Sequence, residues 1–218
     1  MLMKEGVVLR KIAFFCLLLL ISFSSVTRAD CAEDLGISLI DFYKILLGVR
    51  ARYDLYDIEG KKIPVPSFVP SKGENGENIE TLSWGEDLVF KLVLDDQEDR
   101  VVEMELNWYS VFTMPEEYYI SMAEVYTLVL RDLYHTLCFK KEAKRVQNTY
   151  IEILALSAKG LDDPMKLKKE KMIVCENRCS TSKANFYFKS IMEYVESIGS
   201  MDISTKRELI TCRITPAK

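Results

Sequence analysis

Apolar residues recur every three or four positions in the first part of the chain that follows residue 34. They are Leu35, Leu39, Phe42, Leu46, Val49, Tyr53 and Tyr56. This spacing follows one face of an α-helix, and Asp34 is suited to cap its amino end. The pattern therefore predicts a helix over residues 35–56.

A different period governs the segment from residue 88 to residue 108. Apolar side chains alternate with others in two runs, Leu88, Phe90, Leu92, Leu94 and then Val102, Met104, Leu106, Trp108. Five polar residues, 95–99, separate the two runs. Period two on both sides of a polar turn predicts a β-hairpin with one buried face.

Helical spacing returns after residue 113. Thr113 and Glu116 form a capping box with Pro115 inside the first turn, and Gly160 is a plausible stop. One unbroken helix over this length would be about 65 Å long at about 1.5 Å per residue. Because that is long for a domain of this size, we expect a break between residues 135 and 141.

The last third of the chain also has helical features. Asp163 followed by Pro164 predicts a helix that runs through Cys175 and Cys179. Ser182 caps a second helical pattern, in which Ala184, Phe188, Ile191, Val195 and Ile198 face inward. A weak capping box at 205–208 precedes Cys212. The expected fold is α+β: mainly α-helical, with one antiparallel β-hairpin or small sheet, stapled by about two disulfides.

A proline- and glycine-rich stretch, residues 60–82, predicts a long loop. Its apolar residues are Ile63, Val65, Phe68 and Val69. The favoured interpretation is that these side chains fold back onto the core. The alternative is an exposed interaction loop, because loops of this length are often functional.

The amino terminus has the organisation of a secretory signal. Three basic residues, Lys4, Arg10 and Lys11, precede an apolar run over 12–23, and residues 27–29 suit cleavage. We therefore expect residues 1–29 to be a signal peptide and residues 30–218 to be a single secreted globular domain. The alternative is an uncleaved membrane anchor, although the run is shorter than the roughly 20 residues of a comfortable span. No later segment is apolar enough to cross a membrane.

The composition limits the kinds of partner that the chain is expected to bind. The chain has 49% hydrophobic residues, enough for a real core, and a formal net charge of −4. This charge argues against nucleic acid as a partner.

Five cysteines remain after the expected cleavage: Cys31, Cys138, Cys175, Cys179 and Cys212. In an oxidising compartment most of them should pair. In a helix, Cys175 and Cys179 share a face but are too far apart to bond each other. We expect them to bond Cys138 and Cys212, which leaves Cys31 free or paired with another chain.

The order of Cys138, Cys175, Cys179 and Cys212, with three residues between the middle two, resembles the first four cysteines of insect odorant-binding proteins. Those proteins are helical ligand carriers. The resemblance covers the C-terminal half of the chain, and the last two cysteines of that family are absent here.

No catalytic constellation stands out. His135 is the one histidine, and a single histidine without partners is expected at the surface or its boundary. We expect no enzyme activity, no metal site and no cofactor. The leading hypothesis is a secreted, non-enzymatic binding protein that acts on an extracellular protein or receptor. The alternative is a carrier of a small apolar ligand in an aromatic-lined helical cavity.

Overall fold

The computed structural model describes residues 34–53, 68–85, 87–95, 100–111, 116–161, 170–195 and 205–217. Three helices are present in these ranges: α1 (Leu39–Arg52), α2 (Glu116–Leu137) and α3 (Lys140–Leu161). The strands are β1 (Val69–Lys72), β2 (Asn78–Trp84), β3 (Leu88–Leu94), β4 (Val101–Val111), β5 (Met172–Ser180), β6 (Ala184–Val195) and β7 (Thr205–Pro216).

The seven described strands form one antiparallel sheet in the order β1-β2-β3-β4-β7-β6-β5. The first four strands follow each other as a meander. After the two long helices, β7 returns to the middle of the sheet and pairs with β4, with Leu106 opposite Cys212. Strands β5 and β1 are the two edges.

One face of the sheet is buried under helices. Every second residue of the central strands points to this face and is shielded from solvent, as in the alternation of Leu88, Phe90, Leu92 and Leu94. The helices contribute Phe42, Tyr126 and Tyr150 to the same core. The fold therefore has two layers, with helices on one side of the sheet.

Helix α1 begins at a complete capping box. The hydroxyl of Ser38 accepts from the backbone N–H of Asp41, and the Asp41 carboxylate accepts from the backbone N–H of Ser38. Hydrogen bonds from Lys44 and Ser38 lower the pKa of Asp41 to about 2. The predicted start near Asp34 was four residues early, because Ser38 and not Asp34 supplies the cap.

Two predictions of local structure are confirmed. The alternating runs form β3 and β4, which pair with each other. The break expected between residues 135 and 141 lies between the end of α2 at Leu137 and the start of α3 at Lys140.

The prediction of a mainly helical fold with one small sheet is wrong. The three C-terminal segments that were predicted to be helical, including the one with Cys175 and Cys179, are the strands β5, β6 and β7. In β6, Phe186 and Phe188 are buried and Tyr187 between them is partly exposed. The segment therefore has a two-residue period as well as the helical spacing on which the prediction of a helix rests.

The prediction of a disulfide-stapled fold is also wrong. Cys138, Cys175, Cys179 and Cys212 form no disulfide in the described part of the chain. Strand β6 separates β5 from β7, which places Cys179 and Cys212 about 10 Å apart or more. A disulfide needs Cα atoms within about 6.8 Å.

Part of the predicted loop over 60–82 is regular structure. Residues 69–72 form β1 and residues 78–82 belong to β2. Phe68 packs its ring against Phe42 and Tyr43, with ring centroids 6.2 and 6.0 Å apart. Val69, in contrast, is exposed. Ile63, Val65, Cys31 and the predicted signal peptide lie outside the described residues. Among those that are described, no helix has the length and apolar character that crossing a membrane requires.

Candidate functional site: an apolar row on the uncovered sheet face

The second face of the sheet carries no described helix, and most of it is polar. Arg213 makes two hydrogen bonds to the carboxylate of Glu103, at 2.7 and 2.9 Å. Arg178 lies over the ring of Tyr187, 4.9 Å from its centroid. Contacts of this kind are typical of a solvated sheet surface, which needs no cover.

One row of this face is different. Val174, Ile191, Leu209 and Tyr109 lie directly opposite one another across the adjacent strands β5, β6, β7 and β4. Val174 is 41% exposed and Tyr109 is 42% exposed, while Ile191 and Leu209 are half-buried. Since neighbouring strands are about 4.8 Å apart, the apolar row is about 14 Å long.

Polar residues flank the row along the strands on one side. Glu193 lies opposite Arg207, and both are exposed. This pair places one charge of each sign next to Ile191 and Leu209.

The other flank is polar as well. Glu176 lies opposite Lys189, with 3.3 Å between Oε1 and Nζ. Next to them, the Thr211 hydroxyl donates to Asn107 Oδ1 at 2.7 Å. The apolar row is therefore a hydrophobic strip with a polar border.

A cleft of about 360 Å³ adjoins the row where β4 and β6 end and β7 begins. Its lining residues are Tyr109, Ser110, Ile191, Glu193, Arg207, Glu208 and Leu209. Three members of the apolar row thus form part of the cleft wall. Its volume lies within the range of about 300–1,000 Å³ that is usual for ligand pockets.

Glu208 is a buried acid in the lining of this cleft. Its carboxylate accepts hydrogen bonds from the hydroxyls of Ser157 on α3 and Ser190 on β6, the latter at 3.2 Å. Burial raises the pKa of the Glu208 carboxyl, against the opposing effect of the two serine hydrogen bonds. Ser110 lies opposite Glu208 on β4 and is buried, and its hydroxyl has no hydrogen-bond partner within the described part of the chain.

A second, smaller cavity of about 220 Å³ lies between the sheet and the helices. Trp108, Thr127, Tyr150 and Glu208 are among its lining residues. The hydroxyls of Thr127 and Tyr150 are hydrogen-bonded to each other at 3.2 Å. Glu208 thus lines both the cleft and this second, partly aromatic cavity.

The four predicted disulfide cysteines are dispersed over the covered side. Cys138 follows α2, and its Sγ lies 3.8 Å from the Thr181 hydroxyl. Cys175 and Cys179 lie on the helix-facing side of β5, and Cys212 is fully buried in β7. Burial raises the pKa of Cys138 and raises that of Cys212 well above its ordinary value.

His135 is exposed near the end of α2, with its ring 5.0 Å from that of Tyr134. The expectation of a surface histidine is confirmed. Within the described ranges, no group of three or more histidine, cysteine or acidic side chains is arranged to hold a metal ion.

The sequence pattern did not predict the apolar row. The predicted helix places Ile191 on its inner face, and no pattern in the sequence connects Tyr109, Val174 and Leu209. The alternation of Phe186 and Phe188 with polar residues was the available signal, because it places Ile191 on the opposite side from both phenylalanines.

Comparison of the chain with protein-family models, with curated proteins and with solved structures finds no match. The helical carrier fold that the cysteine resemblance implied is contradicted by the seven-stranded sheet.

Proposed function

We propose that this protein is a non-enzymatic binding protein that holds a protein partner against the apolar row of its uncovered sheet face. The observation that carries the proposal is the alignment of Val174, Ile191, Leu209 and Tyr109 on a face that no described helix covers. Contiguous apolar surface of this kind marks interaction sites in soluble proteins.

The form of the surface favours a protein over a small molecule. The row crosses four neighbouring strands, so its side chains rise from one sheet surface and do not enclose a ligand. Its flanks are polar, with Glu193 and Arg207 on one side and Glu176 and Lys189 on the other. An apolar centre with a polar rim is the usual anatomy of a protein–protein interface.

The adjoining cleft provides a place for an anchoring side chain of the partner. Binding energy in interfaces concentrates where a large side chain fills a desolvated pocket. Tyr109 and Leu209 would contact the apolar part of such an anchor. Arg207 and Glu193, which line the same cleft, would discriminate between anchoring side chains by the charge of their polar groups.

We place the partner outside the cell, as an extracellular protein or receptor. This setting rests on the charged and apolar pattern of residues 1–29 alone.

Site-specific photo-crosslinking tests the proposal. A benzophenone amino acid would replace Tyr109, and a matched variant would carry it in place of Phe139, an exposed aromatic residue between α2 and α3. After irradiation with the extracellular fraction of the producing cells, the Tyr109 probe should yield one adduct of defined mass. The Phe139 probe should not yield that adduct. Identical adducts from both positions, or none from Tyr109, would contradict the proposal.

A second candidate is a carrier of a small apolar ligand, which the cavity of about 220 Å³ between the sheet and the helices favours. Trp108 and Tyr150 give it aromatic walls, and its size restricts the ligand to molecules smaller than those that usual pockets hold. Native mass spectrometry of the purified protein tests this candidate. A released molecule that is lost when Ala158 in the cavity wall is changed to Leu would support it, and a protein with no bound mass would count against it.

A further inference from the structure

The two edges of the sheet are protected to different degrees. Strand β1 has four residues, and these include Pro70 and Lys72. Short length, proline and lysine are the usual means by which an edge strand avoids pairing with another chain. Strand β5 has nine residues, Met172–Ser180, with neither proline nor lysine. Among the described residues, only β6 pairs with it.

The register of β5 identifies the backbone groups that point to its open edge. The Tyr194 N–H donates to the Lys171 carbonyl, and the Thr181 N–H donates to the Ala184 carbonyl, both at 2.9 Å. Odd-numbered residues of β5 therefore exchange hydrogen bonds with β6. Because the direction alternates along a strand, the even-numbered residues 172–180 present their N–H and C=O groups to the outside.

The charged residues of β5 are arranged so that two antiparallel copies of the strand would bring opposite charges face to face. Around Asn177 the sequence reads Cys-Glu-Asn-Arg-Cys over residues 175–179. Two copies that pair antiparallel about Asn177 place Glu176 of each copy opposite Arg178 of the other. Both residues are exposed, and opposite charges at directly facing positions stabilise an antiparallel pair.

We propose that β5 is a dimerisation edge, at which a second copy of this chain pairs antiparallel about Asn177 and extends the sheet to fourteen strands. The arrangement is a closed two-fold interface, in which each copy contributes the same surface. It goes beyond the binding function proposed above and does not depend on it, since it uses the backbone edge of β5 and not the side chains of the apolar row.

Apolar side chains lie beside this edge on both faces. Met172 is 52% exposed on the uncovered face. On the helical side, Glu152 of α3 accepts a hydrogen bond from the Asn177 amide at 2.9 Å, and Leu156, one turn further along α3, is 45% exposed. A second copy would remove part of this surface from water.

Two of the backbone groups that point to the open edge of β5 already have hydrogen-bond partners within the single chain. The Arg178 N–H donates to Asn177 Oδ1 at 2.8 Å, and the Ser180 carbonyl accepts from Arg145. The first bond must open for the full ladder to form, because Glu176 of the second copy would offer its carbonyl to the same N–H. The carbonyl of Arg178 and both groups of Val174 and Glu176 face the edge directly.

The register also makes a covalent prediction. Cys175 of one copy would lie opposite Cys179 of the other, at a position where the backbones exchange no hydrogen bonds. Facing Cα atoms are about 4.5 Å apart at such positions, which is within the range of a disulfide. With oxidised glutathione as the oxidant, the two thiols give up two electrons and two protons, and one disulfide and two molecules of reduced glutathione form.

Variants that exchange the charges of Glu176 and Arg178 test the pairing of β5 with its copy. Sedimentation equilibrium of the purified protein at low salt should show twice the mass of one chain. Glu176→Arg and Arg178→Glu should each weaken dimerisation roughly tenfold or more, because like charges then face each other twice. The double variant, with both changes, should restore the dimer, and a mixture of the two single variants should give a mixed dimer. A folded wild-type protein that stays monomeric, or a double variant no better than the single ones, would overturn the proposal.

Disulfide formation between two copies tests the register of the β5 pair independently of the charge variants. After treatment with oxidised glutathione, a peptide map should join Cys175 of one copy to Cys179 of the other, and Cys175→Ser should abolish that link while the dimer persists. A dimer that links no such pair would overturn the register. Ser71→Ala on the opposite edge is the matched control for edge changes, because Pro70 and Lys72 stay in place, and it should leave the mass unchanged.

Discussion

The hydroxyl of Ser190 on β6 donates a hydrogen bond to the carboxylate of Glu208 on β7, with 3.2 Å between Oγ and Oε1. Ser157 of α3 donates to the same carboxylate oxygen. An acid thus lies at the junction of sheet and helix, where burial opposes its ionisation and two serines favour it. Burial is the larger effect, so the pKa of Glu208 is raised.

This raised pKa makes stability depend on pH in a known direction. The folded state holds the proton of Glu208 to a higher pH than the unfolded state, whose pKa is near 4.5. The free energy of unfolding therefore falls as the pH rises from 4.5 through the folded pKa. We expect Glu208→Gln to remove this pH dependence. The difference in the free energy of unfolding between wild type and variant should therefore change between pH 4.5 and the folded pKa of Glu208. Urea denaturation at a series of pH values measures it, and parallel profiles would show that Glu208 does not titrate differently on folding.

Ser38→Ala should lower the free energy of unfolding by about 1 kcal/mol, because it removes the hydroxyl that caps α1. Ser83→Ala is the control, since Ser83 is exposed on β2 and surface changes usually stay within about 0.5 kcal/mol. Chemical denaturation of both variants gives the comparison. Equal effects would show that the cap does not stabilise the helix.

Phe42→Ala should cost about 3–5 kcal/mol, because it leaves a cavity in a packed core. The ring of Phe42 is fully buried and lies 5.8 Å from that of Phe90, between centroids. Ile40→Ala on the same helix is the control, because Ile40 is 66% exposed. Thermal or urea unfolding distinguishes the two. A loss below 1 kcal/mol for Phe42→Ala would contradict the packing of α1 on the sheet.

The four described thiols should differ in reactivity. Cys138 and Cys175 are half-buried, whereas Cys212 is fully buried and has a pKa well above its ordinary value. Maleimide should label Cys138 in the native protein, and Cys179 and Cys212 only after denaturation. Cys175 should be labelled in the monomer and protected in the dimer proposed above. Mass spectrometry of protein labelled without reductant measures this order. Thiols that remain unlabelled after denaturation would show that disulfides had formed.

The hairpin and the two long helices were predictable because each has a single clear period. In β3, Leu88, Phe90 and Leu92 face one side with no competing pattern, and the interruption between α2 and α3 follows from length alone.

The C-terminal strands were not predictable in the same way, because their residues satisfy two periods. Ala184, Phe188 and Ile191 fit a helix, yet Ala184, Phe186 and Phe188 fit a strand equally well. Cys175 and Cys179 are four apart, which is the same face in a helix and, being an even number, the same face in a strand. The pairing of β7 with β4 joins residues about a hundred positions apart, and no local pattern reveals it.

The apolar row depends on this pairing. Tyr109 and Leu209 become neighbours only when β7 lies next to β4, so a row that crosses four strands has no counterpart in the linear sequence. Glu208 is a similar case, because its burial follows from the positions of Ser157 and Ser190 on two other elements.

The most direct test of the binding proposal is the affinity of the partner captured through Tyr109, measured by titration calorimetry. Leu209→Asp places a charge in the apolar row, and Thr215→Asp places the same charge on the same strand and face, six residues away. The account predicts that Leu209→Asp weakens binding at least tenfold, about 1.4 kcal/mol or more, and that Thr215→Asp leaves the affinity unchanged. Unchanged affinity of a folded Leu209→Asp variant would contradict it.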